Sequence, residues 1–214
     1  MKSAPGLVHV IGVGMTPFCG VRQDANVRDM VVEAVRAALV DAGATTEFID
    51  LGVAAYESDH FNRQLSLGHF LAEAIGLQGT PVLRVEGGGA TGALAIRSAA
   101  TAIKAGEAEA VLVFGGETNG RSVDRATATE ILAMSADFDW ETPVFGTFAA
   151  PYALMIIEHM RRYGTTAEQF AAIAVKNRRT ALDNPLAHKG MSIAAELGVA
   201  EKIIPPSTKQ SGAL

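Results

Sequence analysis

The sequence predicts an α/β fold in which a mainly parallel sheet carries helices on both faces. Short apolar runs alternate with helical patterns from residue 7 to residue 115, which is the arrangement of a parallel sheet with crossover helices. Glycines close the helical patterns, at Gly43, Gly76 and Gly106. The segment 93–105 is almost entirely Ala, Leu and Ile outside one narrow polar stripe, which predicts a helix buried on most sides.

The first half of the chain supplies the predicted sheet. Asn26 has the side chain of a helix N-cap and precedes an amphipathic pattern that ends at Gly43. Four strands are predicted, at Leu7 to Val13, 51–56, 82–86 and 110–115. Between them, helices are predicted over about 65–75 and from about residue 90 to Gly106, with a polar loop before the first of these.

The second half has a different character. A loop at 118–122, a short helix at 126–134 and an acidic, aromatic stretch at 137–141 lead into a helical pattern that ends at Gly164. Pro151 stands in the first turn of that pattern. Thr166 and Gln169 then form a capping-box signature for a last helix, which runs to about residue 182.

Composition excludes several classes of function. The 214 residues carry a net charge of −5 and no basic run, which argues against a nucleic-acid partner. No stretch has the length and apolarity of a membrane span, so we expect a cytoplasmic protein. One cysteine excludes an internal disulfide, and the five histidines show no metal-binding spacing, so no metal is expected.

Two short motifs invite a chemical interpretation. Gly12 and Gly14 resemble the start of a dinucleotide-binding fingerprint, but Pro17 stands in place of the third glycine and no helix follows directly. Cys19 follows the same apolar run, and we interpret it as a loop cysteine without a chemical role.

A family resemblance rests on the segment Val82-Leu-Arg-Val-Glu-Gly-Gly-Gly-Ala-Thr-Gly92 and on Phe114-Gly-Gly-Glu117. Both resemble the N-terminal half of thiolases, most closely the sterol-carrier-type and archaeal-type branch. Tyr163-Gly-Thr-Thr, Val175-Lys-Asn-Arg and Asn184-Pro-Leu-Ala-His188 continue the resemblance in the right order. In that family the turn carries the nucleophilic cysteine, whose position here is Gly89. A turn of this kind is similar to that of thiolase-like aldolases, which use the fold without the cysteine.

The resemblance implies a domain organisation. Residues 1–116 and about 147–188 are expected to form the thiolase-like α/β domain, about 117–146 a loop subdomain over the active site, and 189–214 a divergent tail. A complete thiolase continues into a second domain that supplies the catalytic histidine. We therefore expect a homodimer through this domain, a second chain that supplies the C-terminal half, or both, and an unstable lone monomer.

The resemblance also implies site residues and a coenzyme A thioester as substrate, with no covalently bound cofactor. The backbone N–H groups of Gly89, Ala90 and Thr91 are candidates for an oxyanion hole. Side chains of the loop subdomain are candidates for coenzyme A and acyl-chain contacts, or alternatively form its small core: Met134, Trp140, Phe145, Gly146 and Phe148. His60 beside Asp59 is a candidate general base or a solvated loop pair, and Glu117 orders a loop or lies near the site.

Three functions follow from these residues. Without an acyl-accepting cysteine, the chain is expected to act on an acyl-CoA at a C–C bond as an aldolase does, by stabilising an enolate. The alternatives are a non-catalytic thiolase-fold subunit or acyl-CoA binder that supports a partner, and an acyltransferase that uses a partner's residues.

Overall fold

The chain divides into two units, residues 1–16 with 21–135 and residues 17–20 with 136–214. A computed structural model describes residues 6–118 and 123–187. The sheet lies in the first unit, and the predicted domain boundaries stay a prediction.

The sheet has three parallel strands, β1 (Leu51–Ala55), β2 (Val82–Val85) and β3 (Val111–Phe114), in the order β2-β1-β3. Val53 in the central strand pairs with Leu83 on one side and with Val113 on the other. The predicted strands at 51–56, 82–86 and 110–115 are confirmed.

Helices cover both faces of this sheet, which confirms the predicted fold class. The helices of the first unit are α1 (Val27–Ala42), α2 (Asp59–Asn62), α3 (Leu67–Ile75), α4 (Thr91–Ala105) and α5 (Arg125–Ala133). On one face, Val31 of α1 and Leu71 of α3 pack with Ala54. On the other, Ala95 of α4 packs with Val53. Neighbouring residues of β1 therefore face opposite layers, as the pleat of a strand requires.

Local signals set the ends of α1 as predicted. The Asp29 N–H donates to the Asn26 side chain at 3.1 Å, and the Asn26 N–H donates to the Asp29 carboxylate at 3.0 Å. Gly43 closes the helix in the left-handed conformation, with φ of 61°.

The predicted strand from Leu7 to Val13 is wrong. In the described part of the chain this segment pairs with no strand, and Val10 remains 76% exposed. Its apolarity therefore does not mark burial in the sheet. Gly12 and Gly14 lie against the backbone of α1, so that a Cβ on either would overlap a carbonyl oxygen of that helix. Close packing thus explains these two glycines without a nucleotide.

Helix α4 is buried on one side, not on most sides as its composition predicts. Its buried residues follow a single face: Thr91, Ala95, Ala99 and Ala102. Ile96, which points away from the sheet, is 58% exposed. Among the described residues the sheet is the layer that covers α4, and the sequence pattern cannot tell a missing layer from a present one.

The second unit contains α6 (Thr142–Phe145), α7 (Ala149–Tyr163) and α8 (Ala167–Leu182). The predicted capping box of Thr166 and Gln169 is present at the start of α8. Helix α7 has no buried residue among those described, and several of its large apolar side chains are exposed: Tyr152, Leu154, Met155, Ile156 and Ile157. The predicted tail and His188 lie outside the described residues. No helix in the described ranges is long and apolar enough to cross a membrane.

Candidate functional site

The carboxyl ends of the three strands meet at one edge of the sheet and are followed by half of the predicted site residues: His60, Gly89, Ala90, Thr91 and Glu117. The segment after β1 passes through α2 to α3 on one face, while the turn after β2 enters α4 on the other. In open α/β sheets, ligands bind outside the carboxyl ends of strands where successive connections leave in opposite directions. For the strand order β2-β1-β3 that point lies between the ends of β1 and β3, which therefore have the position of a binding site.

The glycine turn after β2 is held by its own side chains. The Thr91 hydroxyl accepts a hydrogen bond from the Gly87 N–H at 3.0 Å and donates one to the Gly88 carbonyl at 2.7 Å. The Glu86 carboxylate accepts the Gly88 N–H at 2.6 Å. Since Thr91 is buried at the start of α4, this turn leads into the helix as a single preorganised element.

These bonds limit the predicted oxyanion hole. The Ala90 N–H donates to the Gly87 carbonyl at 3.1 Å, and the Thr91 N–H donates to the Gly88 carbonyl. Both amides donate inside a short 3₁₀ turn, and their predicted role as oxyanion donors stays a prediction. The Gly89 N–H donates to no acceptor within the described ranges. Gly89 as an oxyanion donor stays a prediction.

Gly89 itself is exposed, and its surroundings are open. A Cβ built on it has no atom within 4 Å. Its φ lies outside the left-handed region, whereas Gly88 has φ of 55°. The backbone therefore accepts a side chain at Gly89, and the prediction that this is the nucleophile position stays a prediction.

Arg84 of β2 fixes the segment that follows β1. Its guanidinium donates to the Asp59 carboxylate at 2.9 Å and to the Glu57 carbonyl at 3.0 Å, and it lies 4.1 Å from the centre of the Tyr56 ring. Asp59, which was expected to pair with His60, is thus bound to Arg84. The His60 side chain is exposed, and its backbone N–H caps α2 on the Ser58 hydroxyl at 3.0 Å.

Glu117 joins the ends of β1 and β3. Its carboxylate accepts the Ser58 N–H at 2.8 Å. Burial raises the pKa of Glu117 above its ordinary value, the charge of Glu57 raises it further, and the Ser58 hydrogen bond opposes the increase. The Glu117 carboxylate thus holds the segment after β1, and its predicted role, in ordering a loop or at the site, stays a prediction.

The raised pKa of Glu117 predicts a pH-dependent contribution to stability. An acid whose folded-state pKa is raised stabilises the fold fully below its unfolded pKa, here 4.5, and loses that contribution as the pH rises through the folded pKa. In Glu117→Gln, an amide oxygen can still accept the Ser58 N–H. We expect the free energy of unfolding of this variant to increase relative to that of the wild type as the pH rises above 4.5. Urea titrations of both proteins measure the difference, and a constant difference over this range contradicts the prediction.

A cavity of about 550 Å³ lies between the segment after β1 and helix α5, and we call it the α5 cavity. Its main lining residues are Ser58, His60, Arg63, Thr127, Ile131 and Met134. Met134, predicted to contact the substrate, is therefore on a cavity wall. No group of three potential metal ligands occurs among the described residues.

The other predicted acyl-pocket residues belong to the second unit. Trp140 is 79% exposed, Phe145 is half-buried, and Phe148 lies 5.0 Å from the ring of Tyr152. Gly146 ends α6 with φ of 58°. Their role in substrate binding stays a prediction.

Sequence reasoning missed Arg84 and its contact with Asp59. The available signal was the charge itself, since Arg84 stands in the otherwise apolar strand β2. The partner, 25 residues earlier, followed no spacing rule that a single sequence reveals.

Comparison with known proteins places this geometry in a family. The family model described as "Thiolase, N-terminal domain" matches residues 8–211. An acetyl-CoA acetyltransferase of Methanothermobacter thermautotrophicus is 36% identical over 190 residues, which is 88% of this chain and 49% of that protein. Human sterol carrier protein 2 is 31% identical over 187 residues, 83% of this chain and 34% of that protein.

A solved structure gives a similar result. The structure named Ltp2-ChsH2(DUF35) aldolase matches with a TM-score of 0.66 and 27% identity, over 83% of this chain and 44% of that chain. The chain thus spans about half the length of the archaeal relative and less of the other two.

Proposed function

Because the chain belongs to the thiolase superfamily through a thiolase N-terminal domain, we propose that it acts on an acyl-CoA thioester at a C–C bond by aldolase-like chemistry. The observation that carries the proposal is Gly89. Gly89 has open surroundings, a backbone N–H donor and no attacking atom, and the sequence resemblance aligns it with the nucleophile of the family. The match to a structure named as an aldolase supports the same conclusion.

The proposed reaction is a retro-aldol cleavage of a β-hydroxyacyl thioester. A base removes the proton of the β-hydroxyl group, the bond between Cα and Cβ breaks, and Cβ becomes a carbonyl carbon. The electron pair moves through Cα to the thioester oxygen, and protonation at Cα then gives the shortened acyl-CoA. A donor such as the Gly89 N–H stabilises the developing oxyanion, and no acyl-enzyme is needed.

More than one residue is a candidate for the base that removes the hydroxyl proton. His60 is accessible at the α5 cavity and is proposed for this role, although Asp59 is occupied by Arg84. The residues that the second half of a thiolase supplies are a further possible source, and we propose that a partner chain or a second copy contributes them.

A second candidate, a non-catalytic subunit that supports a partner, is favoured by the exposed apolar residues of α7 and of Leu7 to Val13. Apolar surface of this extent is typical of proteins that bind another chain. The two candidates differ in turnover, because only the first releases a carbonyl product and a shortened thioester.

Intact-mass analysis together with product analysis tests the proposal. The complex isolated from its source is incubated with a β-hydroxyacyl-CoA. We expect a carbonyl product and a shortened acyl-CoA, with no acyl adduct on this chain, because Cys19 lies outside the glycine turn. An adduct on Cys19 with loss of activity in Cys19→Ala contradicts the aldolase mechanism. Thioester binding without products favours the non-catalytic candidate.

A further inference from the structure

We propose that the α5 cavity binds the acyl chain of the thioester and selects a chain that carries a carboxylate, with Arg63 as the specificity-determining residue. This inference rests on the proposed function for the thioester itself. Its own content is the choice of acyl group, which the proposed function leaves open.

The position and size of the cavity fit an acyl chain. It lies beside the segment that follows β1, with Arg84 of β2 in its wall. Its volume of about 550 Å³ lies within the usual range of ligand pockets, roughly 300–1,000 Å³. An acyl chain with one further functional group occupies a space of this order.

One wall of the cavity is apolar. Ile131 and Met134 lie on the α5 side, and Val123 is buried beside them. Leu65 contributes from the segment before α3 and is 77% exposed. A bound aliphatic chain or aromatic ring that contacts Leu65 and Met134 removes the apolar surface of these two side chains from water.

The other wall carries two guanidinium groups in different states. Arg84 is held by Asp59, which balances its charge, yet its contacts leave other N–H donors. Arg63 has no carboxylate within 4 Å in the described part of the chain. A ligand carboxylate is able to accept charge-assisted hydrogen bonds from Arg63, which an uncharged amide accepts only weakly.

The carboxylates of the cavity do not cancel this preference. Glu57 lines the cavity and also lies close enough to Glu117 for its charge to raise the pKa of Glu117. Glu130 is exposed on α5, where water screens its charge. Among the described residues Arg63 forms no salt bridge, and it interacts at longer range with the Asp124 carboxylate, whose pKa it lowers.

The backbone at Arg63 is a second, independent observation. This residue ends α2 in the left-handed conformation, with φ of 50° and ψ of 37°, and its N–H donates to the carbonyls of Asp59 and His60. For a residue with a Cβ this conformation costs energy, and such positions concentrate at ligand-binding sites.

The experiment compares two ligands that differ in one group. The probes are the N-acetylcysteamine thioesters of adipic acid and of its monoamide, which have the same length and thioester but carry a carboxylate or an amide. Binding to the full chain is followed by the ¹³C-methyl NMR signal of Met134, assigned with Met134→Leu. We expect the carboxylate probe to bind about tenfold more tightly than the amide probe.

The variants assign that preference to Arg63. Arg63→Gln is expected to bring the affinity ratio of the two probes close to one, whereas Arg63→Lys keeps most of it. Arg28→Gln, which removes an exposed arginine of α1, is the matched control and keeps the full ratio. Equal affinities in the wild type, a ratio unchanged by Arg63→Gln, or an unmoved Met134 signal each overturn the inference. If the wild-type complex cleaves no β-hydroxyacyl-CoA while the expected affinity ratio of the two probes is observed, the proposed function is overturned and this inference is not.

Discussion

Replacing Gly89 by valine is expected to reduce C–C cleavage by the complex by about two to three orders of magnitude, the usual cost of losing an oxyanion donor. The valine side chain occupies the open space in front of the Gly89 N–H, where the thioester oxygen is proposed to lie. Folding should change little, because the backbone at this position is compatible with a Cβ and no atom lies within 4 Å of it. Steady-state kinetics and thermal unfolding of the same preparation measure the two effects separately.

Gly92 provides the matched control, since it lies in the first turn of α4 and a Cβ there also meets no atom within 4 Å. We expect Gly92→Ala to retain cleavage activity. Full activity in Gly89→Val contradicts the placement of the oxyanion at this turn. Gly89→Cys extends the comparison, because a thiol near the start of α4 should react with alkylating agents more readily than a free cysteine, whose pKa is about 8.5.

Replacing Gly115 by alanine is expected to lower the free energy of unfolding by about 3 kcal/mol, at the upper end of overpacking effects. Gly115 follows β3 directly, and a Cβ there would overlap the carbonyl oxygen of Ala55 at the end of β1. The obstacle is backbone in the central strand, so no side-chain rotation relieves it. Equilibrium unfolding in urea measures the loss.

The neighbouring glycine is the control for this prediction. A Cβ on Gly116 approaches the Val31 side chain at 3.4 Å, a contact that a small movement relieves. We expect Gly116→Ala to stay within about 1 kcal/mol of the wild type. A Gly115→Ala protein as stable as Gly116→Ala would show that the ends of β1 and β3 are further apart than this structure places them.

Much of the local structure could be predicted from the sequence. The ends of α1 and α8 follow from Asn26 with Asp29 and from Thr166 with Gln169, since a capping box is made within four successive residues. The three strands and the glycine turn were predicted for the same reason: their apolar runs and turn residues are contiguous. The prediction that Gly89 stands at the nucleophile position of the family came from the resemblance alone, and it stays a prediction.

The remaining features depend on contacts between distant parts of the chain, and only the tertiary structure decided them. A strand needs a hydrogen-bonded neighbour, so the apolar run from Leu7 to Val13 predicted a strand that the structure does not contain. The burial of α4 depends on which layers of the fold cover it, and the hydrophobic pattern of a helix does not specify those layers. Arg84 meets Asp59 across 25 residues, and Glu117 meets Ser58 across 59. The carboxyl edge of a parallel sheet brings such residues together because all its strands end there, whatever their separation in sequence.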